Sequence, residues 1–253
     1  MIRVLKNIYI FLFKLWKKTQ LFFSVNWIKT VYFNFKMLPF DQAMKLPFYF
    51  YGSVKFTSLK GTVKIEAPVK KGMIGFGQRF EKMSRAKGIG EVILKGNLVF
   101  KGHAHFGKDV FLCVEENGYC EFGFMGCLGS DVMLLCTNKI IIGDWAGIAY
   151  QSQVIDTNSH PMMNSNSGEH YPISGEIKIG NHNSISNRVT IMANTITPDN
   201  CVVASNSLCN KDYSQLGENI LLGGVPAKLI KKDYNRDWES EKEMLMRYKR
   251  VKL

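Results

Sequence analysis

The first forty residues contain no acidic side chain; Asp41 is the first. Before it come Arg3, Lys6, Lys14, Lys17, Lys18, Lys29 and Lys36, so this stretch carries charge of one sign only. No two of the cysteines, Cys113, Cys120, Cys127, Cys136, Cys201 and Cys209, stand in CxxC spacing, which argues against a zinc knuckle. No apolar run approaches the ~18 residues a spanning helix needs. The stretch IYIFLF (8–13) ends at Lys14 with no small-residue cleavage site after it, so no cleavable signal peptide is expected. The expectation is an intracellular chain, cytoplasmic or at the inner face of the cell membrane. Its thiols are then reduced, and most serve as small apolar core residues. Long helical patterns are absent from residues 52–231, and the regular hairpin turns of a sandwich are few there.

What is present divides the chain in three. Its 253 residues are 46% hydrophobic, enough to bury a core, and its formal net charge of +12 points to an anionic partner. Nucleic acid, an anionic membrane face and phosphorylated small molecules all qualify by charge. Residues 1–51 are rich in Phe, Tyr, Trp, Leu and Ile, and Leu5, Ile8, Leu12 and Trp16 follow helical spacing. A basic, aromatic, amphipathic segment suits the membrane interface, with rings at headgroup depth and lysines towards anionic lipid. The competing expectation is a helix packed on its own domain or on a neighbouring subunit. Because the clearest basic cluster is also apolar, lipid fits it better than nucleic acid, and no nucleic-acid partner is expected. The segment LPFDQAMKLPF (38–48) holds two Leu-Pro-Phe units, which break helix and predict a bend.

Residues 52–231 repeat with a period of six. Ile179, Ile185, Ile191, Thr197, Val203 and Cys209 form one series; Asn183, Val189, Thr195, Cys201 and Ser207 form a second, smaller one between them. Phe100, Phe106 and Leu112 step likewise, with Ala104 and Val110 between; so do Phe122, Leu128 and Leu134. Ile142, Ile148 and Val154 follow, with Ala146 and Ser152 at the small positions. Such a period is neither helical nor that of a plain strand. It describes a short strand and a turn, repeated, each unit burying its apolar face only against its neighbours. A mainly β protein, a parallel β-helix of hexapeptide repeats, is predicted, with phase shifts where residues are inserted. Residues 232–253 are highly charged, with Trp238, Leu245 and Tyr248 at roughly helical spacing, and predict a short C-terminal helix that caps the solenoid or packs on a neighbouring subunit.

The hexads, VIDTNSHPM (154–162) and GGVPAKLIKK (223–232) together resemble the hexapeptide-repeat acyltransferases, over roughly residues 90–232. The pattern is most similar to the sugar O-acetyltransferases, including the galactoside and maltose acetyltransferases. The Leu-Pro-Phe segment resembles, more weakly, that of bacterial surface-polysaccharide acetyltransferases. The resemblance implies a left-handed β-helix with three flat sides, a homotrimer with active sites in the clefts between subunits, and acetyl-CoA as donor. It places a catalytic His before a loop that interrupts the repeat, where His160-Pro161 stands. Acetyl transfer to a hydroxyl needs a base, and a neutral imidazole supplies one. His160 is therefore the expected general base, in direct transfer without an acyl-enzyme.

Asp156 has two readings: orienting the imidazole, or bonding backbone at a coil corner. Asn158 is a candidate for the acceptor sugar, with a turn role as its alternative. The resemblance also carries CoA contacts onto Asn187, Ser205 and Asn210, with Lys228 and Lys231 towards the phosphates. This chain departs from the family with Ser184-Ile185-Ser186 for Trp-Ile-Gly and Ala193-Asn194 for Pro-Gly. Both changes bear on the donor groove and on the acyl chain accepted.

His170 in the loop, His103 and His105 in an early coil and His182 in a turn complete the histidines. They do not match the three-His zinc set of the gamma-type carbonic anhydrases, the metal-using family of this architecture, so no metal is expected. The expected activity is acetyl-CoA-dependent O-acetylation of a sugar hydroxyl on a surface polysaccharide or its lipid-linked precursor. N-acetylation of a nucleotide-linked amino sugar and a non-catalytic β-helix scaffold at the membrane are the alternatives.

Overall fold

Side chains six residues apart that all require burial are accommodated when each hexad forms one side of a three-sided coil. The computed structural model describes residues 22–78 and 87–241, with Tyr9, Ile10, Phe11, Phe13, Trp16 and Thr19. In it the chain is a left-handed parallel β-helix of hexapeptide repeats, and its three faces are sheets of nine, seven and five strands. The first face runs Phe48–Phe50, Ile74–Phe76, Ala104–Phe106, Gly126–Leu128, Gly147–Ile148, Ser184–Ile185, Val202–Val203 and Ile220–Gly224, all parallel. The second starts at Val54–Leu59 and ends at Leu208–Cys209; the third spans Thr62–Ile65 to Ile177–Ile179.

Every member of the six-residue series is buried, and so is every small residue between. Register partners stack the same side chain type along the axis: Phe50, Phe76, Phe106, Leu128, Ile148, Ile185, Val203 and Leu222 form one column. The coils narrow as the chain proceeds. Phe106 pairs with Leu128, 22 residues on, whereas Ile185 pairs with Val203, 18 residues on. Phenylalanines accordingly fill the wide early coils, with Phe76 and Phe106 stacked at 4.2 Å between ring centres. Ile, Val, Cys and Thr fill the narrow late ones. Burial pushes the thiols of Cys201 and Cys209 up to about 12, so they behave as apolar spacers.

Two corners are built the same way in coil after coil. A residue in the left-handed region donates its N–H to the carbonyl of the coil before: Trp145 to Phe124, His182 to Asp144, Asn200 to Asn181 at one corner. Gln151 to Ser130, Arg188 to Tyr150 and Asn206 to Asn187 do so at the other. Asn and Asp tolerate this backbone best, which explains their frequency between the hexads.

The helix α1 (Trp27–Met37) closes the N-terminal end of the stack. Asn26 caps it, its side chain accepting from Lys29 N–H at 3.1 Å. It stops because Leu38 precedes Pro39 and is held extended. The short helix α2 (Phe40–Ala43) follows, and the bend expected from LPFDQAMKLPF is the path from α1 through α2 to the first strand. The coil stack thus begins at Phe48, before the expected boundary at residue 52. The reason is that α1 offers the edge strand polar partners, Asn34 and Thr30, which let it pair on one side only.

Of the residues with helical spacing near the N-terminus, Leu5, Ile8 and Leu12 lie outside the described residues; Trp16 is helical and exposed. At the other end Ala227–Lys232 folds back antiparallel on Ile220–Gly224 and ends the parallel stack. Residues 238–241 are helical; 242–253, with Leu245 and Tyr248, lie outside the described residues. The described part of the tail lies along a corner, Trp238 Nε1 donating to His182 O at 3.1 Å.

Candidate active site

The repeat is interrupted after Ile155, at the corner between the second and third faces, and resumes at Ile177. The insertion is a closed stem, not a free loop. Gly175 N–H donates to Asp156 O at 2.9 Å, Thr157 bridges Ser174, and Asn158 N–H donates to Ile173 O at 2.8 Å. Beyond His160-Pro161, Met162–Met163 pairs antiparallel with His170–Tyr171. Asn164 closes the tip, its Oδ1 accepting from Asn166 and Ser167, and Gly168 takes φ +73°.

His160 stands where the stem opens, just after Ser159, whose φ of +60° turns the chain outward. Ser159 N–H is held by Thr157 Oγ1 at 3.0 Å, so the turn that presents His160 is fixed from below. The imidazole is exposed and has no hydrogen-bond partner among the described residues. A general base needs such a free nitrogen at a solvent-accessible rim. Asn158 is exposed beside it, its backbone tied to the stem and its amide free of the chain.

Asp156 does not orient this imidazole. Its carboxylate is fully buried and committed to the corner of the preceding coil: Oδ1 accepts from Thr137 N–H at 2.8 Å and from Thr137 Oγ1 at 2.9 Å, and Oδ2 from Asn138 N–H at 2.8 Å. The corner reading of Asp156 is the one the structure supports. A buried carboxylate needs hydrogen-bond donors around it, and the coil beneath supplies them from the backbone of Thr137 and Asn138.

The expected donor-binding residues fall on two edges. Asn187 and Ser205 lie two residues past the register partners Ile185 and Val203, so they stack at the corner between the first and second faces. Asn206 N–H donates to Asn187 O at 3.2 Å and ties the two turns. Lys228 pairs with Gly223 at the end of the next strand on the same edge. All three side chains are exposed. Lys231 is exposed on the same last strand, its Nζ 5.4 Å from the Tyr234 ring centre. Asn210 follows Leu208–Cys209 and therefore lies on the other edge of the second face, the edge that carries His160.

The width of the second face separates His160 from Asn187, Ser205 and Lys228. From Asn187 to Ala193 the chain crosses it in six residues, roughly 20 Å of extended backbone. A single chain does not bring the two sets together.

His170 is exposed on the hairpin; His103 is buried, with Phe124 edge-on at 5.7 Å. His105 points outward from the first face, with Nε2 enclosed and unpartnered. Burial, and then the neighbouring His103, push its pKa down to about 4. Among the described residues no group of three His, Cys, Asp or Glu side chains could hold a metal. The sequence reading missed Arg236. Its Nη1 donates to Ser184 Oγ at 3.3 Å, and its guanidinium stacks 4.2 Å from the Trp238 ring centre. Ser184 is one of the positions where the chain differs from the acyltransferase pattern it resembles, and nothing local in the tail signals that partner.

No protein-family model matches this sequence, and no curated protein matches it. Solved structures with a similar chain path include the polysialic-acid-specific acetyltransferase NeuO, at 15% identity over 79% of this chain and 85% of that one, TM-score 0.46. A single-residue mutant of AntD, an N-acyltransferase from Bacillus cereus in complex with dTDP and coenzyme A, matches at 18% identity over 84% and 98%, TM-score 0.41. The polysialic acid O-acetyltransferase OatWY matches at 19% identity over 75% and 90%, TM-score 0.31.

Proposed function

We propose that the protein transfers an acetyl group from acetyl-CoA to a sugar hydroxyl, with His160 as general base. The observation that carries this reading is the placement of His160: an unpartnered, exposed imidazole held by a fixed turn at the mouth of the insertion in a rigid coil. That is what base catalysis on an incoming hydroxyl requires. Acyltransferase activity is the class the solved structures named above are described with, and the support for it here is the site itself.

His160 takes the proton of the acceptor hydroxyl as its oxygen attacks the thioester carbon. The same proton then serves the leaving thiolate. Asn158, beside the imidazole, orients the acceptor. Asn187 and Ser205 offer a polar track for the donor arm, and Lys228 and Lys231 offer cations for its phosphates. Asp156 acts indirectly, by holding the stem to the coil below.

His160 and the donor track lie on opposite edges of one face, so a complete site takes its two halves from neighbouring copies, in keeping with a homotrimer. The acceptor is a surface polysaccharide or its lipid-linked precursor, and the basic aromatic N-terminus holds the enzyme at the inner face of the membrane.

The test is a thermal-unfolding titration with acetyl-CoA, CoA and ATP, followed by an acetyl-transfer assay on glycan acceptors. A ligand at about 100 times its dissociation constant raises stability by about 2.7 kcal/mol. Acetyl-CoA and CoA should shift the midpoint and ATP should not, and His160→Ala should keep the shift while losing transfer. No shift at millimolar acetyl-CoA would sink the reading.

A further inference from the structure

In α1 the usual arrangement of an amphipathic helix is reversed. Its polar residues Thr30 and Asn34 are fully buried, because they bond the edge strand, with Phe33 between them. Its apolar residues Ile28, Val31, Tyr32 and Phe35 are exposed, Ile28 at 84% and Tyr32 at 53%. Positions 28, 31, 32 and 35 make one stripe at i, i+3, i+4 and i+7. Phe40, its ring centre 5.9 Å from that of Phe35, carries the stripe onto α2, and Phe22, Phe23 and Met44 in the flanking segments are exposed as well. A groove between α1 and Val54–Leu59 borders the stripe, with Lys29 at its rim 4.9 Å from the Phe56 ring centre. So many exposed apolar side chains on one short helix and its flanks mark an interaction surface.

Charge selects the occupant. Among the described residues at this end, Lys29 and Lys36 lie on α1 and Lys45 follows Met44, against one acidic residue, Asp41 on α2. A second copy docked face to face would set like charges together, whereas an anionic lipid surface complements them. Among the described residues no helix is long and apolar enough to cross a membrane.

We infer that the N-terminal end of the β-helix is a docking plate for an anionic bilayer, formed by the outward face of α1 with its flanking Phe22, Phe23, Phe40 and Met44. This deepens the membrane reading above and rests on it. It also constrains the acceptor. Phe48–Phe50 is the first strand of its face and Gly147–Ile148 the fifth, so the coil that bears the His160 stem lies four rungs beyond the first coil, and α1 lies between that coil and the plate. At about 4.8 Å per rung and about 10 Å for the helix that is roughly 30 Å. A protein standing on this plate presents His160 to the outer sugars of a lipid-linked oligosaccharide, not to the sugar at the headgroup.

The experiment is vesicle flotation of the full chain with phosphatidylcholine alone and with about one-third phosphatidylglycerol. Three proteins are compared: the native sequence, the triple variant Ile28→Ser, Tyr32→Ser, Phe35→Ser, and the double variant Lys29→Glu, Lys36→Glu. Native protein should float with anionic vesicles only and be released by salt. Each variant should lose at least about tenfold in vesicle affinity while keeping the native melting midpoint and acetyl-CoA shift. Acetylation of a lipid-linked glycan in these vesicles should fall with the variants, and acetylation of the same glycan freed of lipid should not.

Native protein that ignores both vesicle types overturns the docking plate and the membrane reading together. Flotation unchanged by the variants overturns the plate and leaves membrane association to other residues. Self-association abolished by the triple variant, with no flotation, assigns the face to a second copy. Equal loss of acetylation on both glycans overturns the docking role. The acetyl-CoA shift reports separately on the enzymatic reading.

Discussion

Asn34 and Phe48 exchange two hydrogen bonds: the side-chain amide donates to Phe48 O at 2.9 Å, and its oxygen accepts from Phe48 N–H at 3.1 Å. One side chain thus does for the edge strand what a neighbouring strand would do. Asn34→Leu should leave two buried backbone groups unpaired at a cost of about 2–4 kcal/mol, more than the Leu recovers by packing. Urea denaturation would show it as a lower midpoint at unchanged slope. Stability equal to the native protein would mean that water or another side chain replaces the amide.

Asp156→Ala should cost about 3–5 kcal/mol, because three donors of the Thr137–Asn138 corner lose their acceptor inside the protein. Asp156→Asn keeps acceptor capacity at one oxygen only and should fall between. At a temperature where Asp156→Asn is folded, the pH midpoint of its turnover should match that of the native enzyme. A displaced midpoint would show the carboxylate acting on the imidazole after all.

His160→Ala should lower turnover by about 10²–10⁴-fold. Its stability should stay within about 0.5 kcal/mol of native, since the side chain is exposed and bonds nothing in the chain. Calorimetry beside the transfer assay separates the two effects. A large loss of stability would mean that the residue is part of the stem and would remove the case for a base.

His105 sets a pH dependence of its own. Its pKa is about 4 in the folded protein against 6.5 for a free imidazole, with burial as the main cause. Between these values the unfolded chain binds a proton that the folded protein refuses. The contribution is therefore complete above pH 6.5 and is lost as the pH falls towards 4, amounting to up to about 3 kcal/mol. Urea melts across this range should show the loss, and His105→Gln should flatten it. A curve unaltered by the substitution would place the titration elsewhere.

Much of the fold was legible because a β-helix is a nearest-neighbour structure. Ile185 is buried for the same reason as Val203, and each repeats the demand of the residue six positions away, so periodicity carried the inward faces of Ile179 to Cys209 without reference to any distant contact. The break at the His160 stem was legible too, as a lapse in that period. The start of the stack at Phe48 was not. An aromatic segment with two prolines gives no sign that Thr30 and Asn34, which read as the polar face of an ordinary surface helix, turn inward to an edge strand 14 to 20 residues away.

The sequence by itself determined the coil, its inward residues and the site of its interruption, because those follow from local period and side-chain type. Only the tertiary structure decided what the polar groups bond. Asp156 is four residues from His160 along the chain but belongs to the Thr137–Asn138 corner, because stacking coils brings residues 18 and 19 positions apart within 2.8 Å. Arg236 reaches Ser184 across 52 positions, and the exposed stripe of α1 arises because the edge strand claims its polar side. Hydrogen bonds are short-ranged in space and indifferent to sequence distance, so period can announce which side chains are buried but not which partners they find.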